Sequence, residues 1–124
     1  MTEIETTGTE DPRPPGGLSV VATATDGVRV LSLSGEIDHH SGVILQQALN
    51  EVDAPLPRVV LDLRRVTFMD SSGINILLGA HHTLTEAGGW LRLAAPGSAV
   101  KRTLGIVGVE TVIDCHDTLR QALA

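Results

Sequence analysis

The apolar positions change period several times along the chain, and each change marks an element. In Leu18–Thr25 they alternate loosely, with Val21, Ala22 and Ala24, and residues 28–34 resume the pattern with Val28, Val30, Leu31 and Leu33. Asp26-Gly27 between them suits a two-residue hairpin turn, so two paired strands are predicted. From about Ser41 the apolar residues Ile44, Leu45, Ala48, Leu49 and Val52 recur at helical spacing, and Pro55 and Pro57 bracket the exit. Residues 59–63 are almost continuously apolar, as in a central strand covered on both faces. A second helix is predicted from about Ser71, with Ile74, Leu77, Leu78 and Leu84 inward and Gly88-Gly89 at its end. Residues 90–95 form the next strand. A third helix from about Ser98 carries Val100, Leu104 and Ile106 or Val107. Residues 111–115 read as a short edge strand, and residues 117–123 as a last helix with Leu119, Ala122 and Leu123.

Strands alternating with helices imply right-handed crossovers and a mostly parallel sheet, here with an antiparallel strand added by the opening hairpin. The predicted fold is α/β, in the order β-β-α-β-α-β-α-β-α, as a single domain over residues 18–124. Residues 1–17 are rich in Thr, Glu, Pro and Gly and nearly devoid of apolar side chains, which predicts a disordered tail. No internal repeat or long linker divides the rest.

Composition narrows the function classes. The chain has 124 residues, 42% of them hydrophobic, enough for one core. Its aromatic content is 2%, Phe68 and Trp90 alone, and its net charge is −6. Both argue against nucleic-acid binding, which uses stacking platforms and cationic surfaces. The single cysteine, Cys115, cannot form an intramolecular disulfide and sits in an apolar run. No apolar stretch has the length of a membrane span, and the N-terminus lacks the pattern of a signal peptide, so a cytoplasmic location without membrane contact is expected.

Two segments carry candidate chemistry. Asp70-Ser71-Ser72-Gly73 follows the most buried predicted strand and opens a helix. Asp70 is a good N-cap there, and capping alone accounts for such a string in most proteins. The place is also the carboxyl end of a strand, where open α/β sheets put ligand sites. A hydroxyl at the helix start is exposed and lies in the positive field of the helix N-terminus, where backbone N–H groups can receive an anion. A phosphoryl group on it would add roughly −1.5 to −2 charges without disturbing the fold. Ser72 competes with Ser71 as the bearer. Gly73 is tolerated in a first turn and could let a partner approach, with Ile74 part core and part contact. Gly35-Glu36-Ile37-Asp38, at the end of the second strand, reads as a turn with a helix cap.

Other features give less. Adjacent histidines such as His39-His40 and His81-His82 diverge and do not chelate as an i, i+4 pair does, so neither a metal site nor another cofactor is expected. His81 reads as a satisfied, half-buried histidine. Arg64-Arg65 and Lys101-Arg102 read as solvated pairs. No phosphate-binding loop, nucleophile elbow or base partner for Ser71 points to an enzyme.

At residues 59–74, and again at Leu33-Ser34-Gly35-Glu36-Ile37-Asp38-His39-His40, the chain resembles the STAS domains, and most closely the bacterial anti-sigma factor antagonists. The resemblance runs from about Val20 to the C-terminus. It implies the same fold order and a non-enzymatic switch. By that resemblance the unmodified protein would bind an anti-sigma factor that is also its serine kinase and so free a sigma factor. In the family, phosphorylation of the serine after the aspartate, which here would be Ser71, abolishes binding, and a PP2C-type phosphatase would reset it. Gly35, Glu36, Asp38, His39, His40, Asp70, Ser72, Gly73 and Ile74 would form the partner-binding face of a monomer or weak homodimer. Alternatives within the resemblance are a scaffold or sensor subunit of a stressosome-like assembly and a nucleotide-binding STAS protein.

Overall fold

The computed structural model describes residues 17–52 and 55–124; the predicted tail, apart from Gly17, lies outside them. β1 (Leu18–Thr25) and β2 (Val28–Ile37) form the opening hairpin, followed by α1 (Gly42–Asn50), β3 (Arg58–Met69), α2 (Ser71–Glu86), β4 (Trp90–Ala94) and α3 (Ser98–Val107). A 3-10 turn at Val109–Thr111 leads into β5 (Asp114–His116) and α4 (Leu119–Leu123). The strands lie in the order β1-β2-β3-β4-β5, with β1 antiparallel to β2 and the other neighbours parallel. This is the predicted α/β fold. Asp26 and Gly27 both have positive φ, 51° and 81°, as a type I′ hairpin turn requires.

Alternation along the strands divides the core in two. Leu31 and Leu33, Val59, Leu61 and Leu63, and Leu91 and Leu93 bury one face against Leu45 and Leu49 of α1, Ile74, Leu77 and Leu84 of α2, and Val100 and Leu104 of α3. The opposite face buries a smaller set, Val28, Val30, Val60 and Ala94, under Leu119, Ala122 and Leu123 of α4. Arg92 fastens that helix: its guanidinium donates to the carbonyls of Ala122 (2.9 Å) and Ala124 (3.2 Å) and lies 3.8 Å from the centre of the Trp90 ring.

Beyond Asp62, where the pairing with β4 ends, β3 runs on beside β2 alone. Its register with β2 shifts twice, between Ser32 and Ser34 and between Gly35 and Glu36, because β3 carries an extra residue at each place. Each such bulge turns two successive side chains outward. The buried residues Leu63, Val66 and Met69 are therefore spaced by three, with Arg64-Arg65 and Thr67-Phe68 exposed between them.

Other elements differ from the sequence reading in bounds. β2 continues through Gly35 and Glu36, which the sequence assigns to a turn, and β3 is far longer than residues 59–63. The expected strand at 111–115 is a 3-10 turn followed by the shorter β5, and α4 starts at Leu119. Ile106 and Val107 are exposed rather than inward, Ile106 at 79%, because Val100 and Leu104 already fill the buried side of α3. Ile44 is likewise exposed on α1.

Gly79, on the exposed side of α2, has open space where a Cβ would stand. Glycine inside a helix costs roughly 0.5–1 kcal/mol relative to alanine. Gly79→Ala should therefore raise the melting temperature by about 3–5 °C, read by circular dichroism. An unchanged or lowered midpoint would mean that the space is occupied.

Candidate functional site

Ile37 and Met69, the last residues of β2 and β3, stand opposite one another, and the Asp70 N–H donates to the Ile37 carbonyl (3.2 Å). The next residue on each strand is an aspartate, Asp38 or Asp70, and each aspartate holds the start of the helix that follows. The carboxylate Oδ1 of Asp70 accepts from the N–H groups of Ser72 (2.9 Å) and Gly73 (3.4 Å), so Asp70 is the N-cap of α2. The Asp38 Oδ1 accepts from the N–H groups of His40 (3.0 Å) and Ser41 (2.9 Å).

Ser41 completes the second arrangement. It is 3% exposed; its hydroxyl donates to the Glu36 carbonyl (2.7 Å), lies 3.0 Å from the Asp38 Oδ1, and accepts from the Asp38 N–H (2.9 Å). The sequence reading has Ser41 only as the start of a helix; the Asp-x-x-Ser spacing was the available signal for this reciprocal turn. These hydrogen bonds hold the Asp38 carboxyl below its ordinary 3.8, the Ser41 N–H being the largest cause. A carboxyl whose pKa is lowered on folding contributes stability above its unfolded value, and the contribution is lost as the pH falls through the folded value. Asp38→Asn should thus lower the melting temperature at pH 7, and the gap to the parent should narrow as the pH falls below the ordinary carboxylate range. A gap independent of pH would separate the turn from the charge.

The candidates fall into two groups. Ser71, the first residue of α2, is exposed, while Ser72 is partly covered. His39 and His40 are exposed, their rings 4.0 Å apart, and Glu36 is half-buried opposite Phe68. These, with Asp38 and Asp70, are gathered at one end of the β2–β3 pair. Gly73 and Ile74 are inside: Ile74 is 3% exposed, and a Cβ on Gly73 would stand 2.8 Å from side-chain carbons of both Ile37 and Met69. Gly73 is there so that α2 can lie close on the strand ends, not to present bare backbone to a partner. Gly35 has φ +116°, and a Cβ on it would run into the Gly17 carbonyl, which accepts from the Glu36 N–H (3.0 Å). The N–H groups of Ser72 and Gly73, the anion donors expected at the helix start, are already taken by the Asp70 carboxylate.

The sequence reading misses Phe68. The second bulge of β3 leaves this side chain 46% exposed, three positions before Ser71. Elsewhere, His81 is half-buried as expected, but its Nδ1 lacks a hydrogen-bond partner among the described residues. The half-buried thiol of Cys115 is pushed up, first by burial and then by Glu110, which disfavours a thiolate. A hollow of about 530 Å³ lies on the part of the sheet that α4 leaves open; it is lined by Ser32, Ser34 and Asp62 among others, and the buried Asp62 carboxylate is already forked by Arg64 (2.9 Å). Among the described residues no three His, Cys, Asp or Glu side chains converge as metal ligands, and no helix is long and apolar enough to cross a membrane.

The family model of the STAS domain matches residues 19–122. The chain belongs to the STAS domain family. A relative of this STAS domain, the anti-sigma-F factor antagonist RsfB of Mycobacterium tuberculosis, is 32% identical over 110 residues, which are 88% of this chain and 89% of RsfB. A crystal structure of an anti-sigma factor antagonist from Mycobacterium paratuberculosis superposes with a TM-score of 0.81 at 33% identity, covering 89% of this chain and 94% of that one. SpoIIAA, the Bacillus cell fate determinant, in its phosphorylated form shares the fold with a TM-score of 0.64 at 22% identity, covering 85% and 96%. The paired strand ends, the two aspartate-held helix starts and Ser71 all lie within the matched STAS domain.

Proposed function

We propose that this STAS domain is an anti-sigma factor antagonist switched at Ser71. The unmodified chain binds an anti-sigma factor through the end of the β2–β3 pair and thereby frees a sigma factor. The same partner, acting as a serine kinase, transfers the γ-phosphoryl group of ATP to the Ser71 Oγ, and the complex dissociates. A PP2C-type phosphatase hydrolyses the ester and restores binding. The chain is then a substrate and binding module rather than an enzyme, and its place is the cytoplasm, where ATP and sigma factors are.

The observation that carries this reading is the position of Ser71. It is the exposed first residue of a helix whose cap, Asp70, already uses the neighbouring N–H groups. A phosphoryl group there leaves the fold intact and changes the surface instead. Support also comes from the relatives, which carry the name anti-sigma factor antagonist, and from SpoIIAA, which occurs in a phosphorylated form.

The test is incubation of the purified chain with ATP and candidate anti-sigma kinases, followed by peptide mass spectrometry. A single phosphoryl group on Ser71 is expected, and none on Ser71→Ala. A phosphoryl group on Ser72 alone would move the switch by one residue; equal modification of Ser71→Ala would remove Ser71 from it.

Phe68 belongs to this reading as an anchor. One of only two aromatic residues, it is left about half in solvent, and aromatic side chains, Phe among them, are enriched at interfaces. Phe68→Ala should weaken the complex by about 2 kcal/mol, roughly thirtyfold in Kd by calorimetry, with the melting temperature little changed. Unchanged affinity would place the contact elsewhere.

A further inference from the structure

We infer that two copies of this chain join along the outer edge of β1 into one continuous sheet. Among the described residues β1 ends the strand order; it pairs with β2 without a register shift and is exposed from Val21 to Thr25. Edge strands are ordinarily protected by proline, charge or a bulge. Leu18–Thr25 contains neither proline nor any charged residue.

The hydrogen-bond pattern fixes which residues face outward. The Glu36 N–H donates to the Gly17 carbonyl, and the register continued from Leu18↔Gly35 sets these two residues opposite each other. In an antiparallel pair, bonded positions alternate with unbonded ones. Residues 17, 19, 21, 23 and 25 therefore direct their backbone groups to β2, consistent with Thr25 and Val28 closing the two-residue turn. Val20, Ala22 and Ala24 direct theirs away from the sheet.

A second copy of β1 satisfies that edge by symmetry. With a two-fold axis at Ala22, Ala22 meets Ala22 of the second copy and Val20 meets Ala24 of the second copy, each pair exchanging N–H···O=C bonds in both directions. Alanine at the axis offers no bulk and no charge to oppose the approach. The even-numbered side chains lie beside a groove of about 270 Å³ that mixes apolar residues, Val20, Ala22 and Ile44 among them, with Arg29, Gln47 and Glu51. An axis perpendicular to the sheet sets the two grooves on the same face beside the junction, so apolar surface that includes the exposed Ile44 is covered there. The Ser71 ends of the two copies point in opposite directions and stay free, so this pairing is independent of the proposed switch.

The test uses the full chain. Sedimentation across the micromolar range should give two copies per particle. Ala22→Pro and Ala22→Lys should each give one, with an unchanged circular dichroism spectrum, because the backbone of residue 22 does not bond to β2. Bonded antiparallel positions have Cα atoms about 5.5 Å apart, within reach of a disulfide. Ala22→Cys in a Cys115→Ser background should therefore give a covalent dimer on oxidation. A monomer at all concentrations that forms no cross-link overturns the proposal, as does a dimer that both position-22 variants leave intact. A full chain that dimerises only after residues 2–16 are removed also overturns it, by assigning the edge to the chain's own N-terminal segment.

Discussion

Phosphorylated at Ser71, the chain should bind its anti-sigma factor at least about a hundredfold more weakly than the unmodified form. The physical cost is that of bringing a phosphoryl dianion against a surface fitted to a hydroxyl, next to the Asp70 carboxylate, which already caps the first-turn N–H groups of Ser72 and Gly73. About 3 kcal/mol of uncompensated charge at the interface suffices for a hundredfold change. Ser71→Ala should bind constitutively and ignore ATP, because only a hydroxyl at an exposed position is lost. Ser71→Glu should fall between the two, since one carboxylate has less charge and fewer acceptor oxygens than a phosphoryl group. Calorimetric titration of these forms against one partner reads the whole series. Equal affinity of the phosphorylated and unmodified chains would end the charge-switch account; loss of binding in a folded Ser71→Ala would make the hydroxyl itself a contact.

Gly35→Ala should cost about 2–4 kcal/mol of stability. A φ of +116° costs a side-chain-bearing residue roughly 1–3 kcal/mol. The new Cβ would also meet the Gly17 carbonyl, so the bond from the Glu36 N–H is lost as well, worth about 1 kcal/mol more. Because β1 and β2 separate at that point, the damage should spread to the turn at Asp38 and Ser41. Urea unfolding should show a lowered midpoint with an unchanged slope. A midpoint within the error of the parent would mean that the backbone relaxes at Gly35 without consequence.

The sequence is legible where one period holds across a whole element. Asp26-Gly27 at the hairpin, the stripe of Ile74, Leu77 and Leu84 on α2, and the Asp70 cap are all visible from residue identity alone. β3 is not, because two bulges break its alternation: Leu63, Val66 and Met69 point inward at a spacing of three, which matches neither a flat strand nor a helix. The reading that stops the strand at residue 63 follows from that. The same cause hides Phe68, whose exposure is set by the second bulge rather than by its own chemistry. Gly35 and Gly73 stand out as part of motifs, but their reasons are a backbone angle and a close helix–strand approach, which only coordinates supply. Ser41 lies in a short polar stretch, and its burial depends on the fold around Glu36 and Asp38.

Trp90, held beside Arg92 and α4, also decides what light can report. With one tryptophan and no tyrosine, the intrinsic fluorescence of this protein comes from a single indole. That indole stands opposite Arg58, at the far end of β3 from Met69, roughly 30 Å from the serine by strand rise. Emission will follow the seating of the C-terminal helix and stay dark to events at Ser71, so a silent titration is no evidence that a partner failed to bind. Phe68→Trp would place a second emitter where the partner is proposed to land, and the same cuvette could then watch both ends of the sheet.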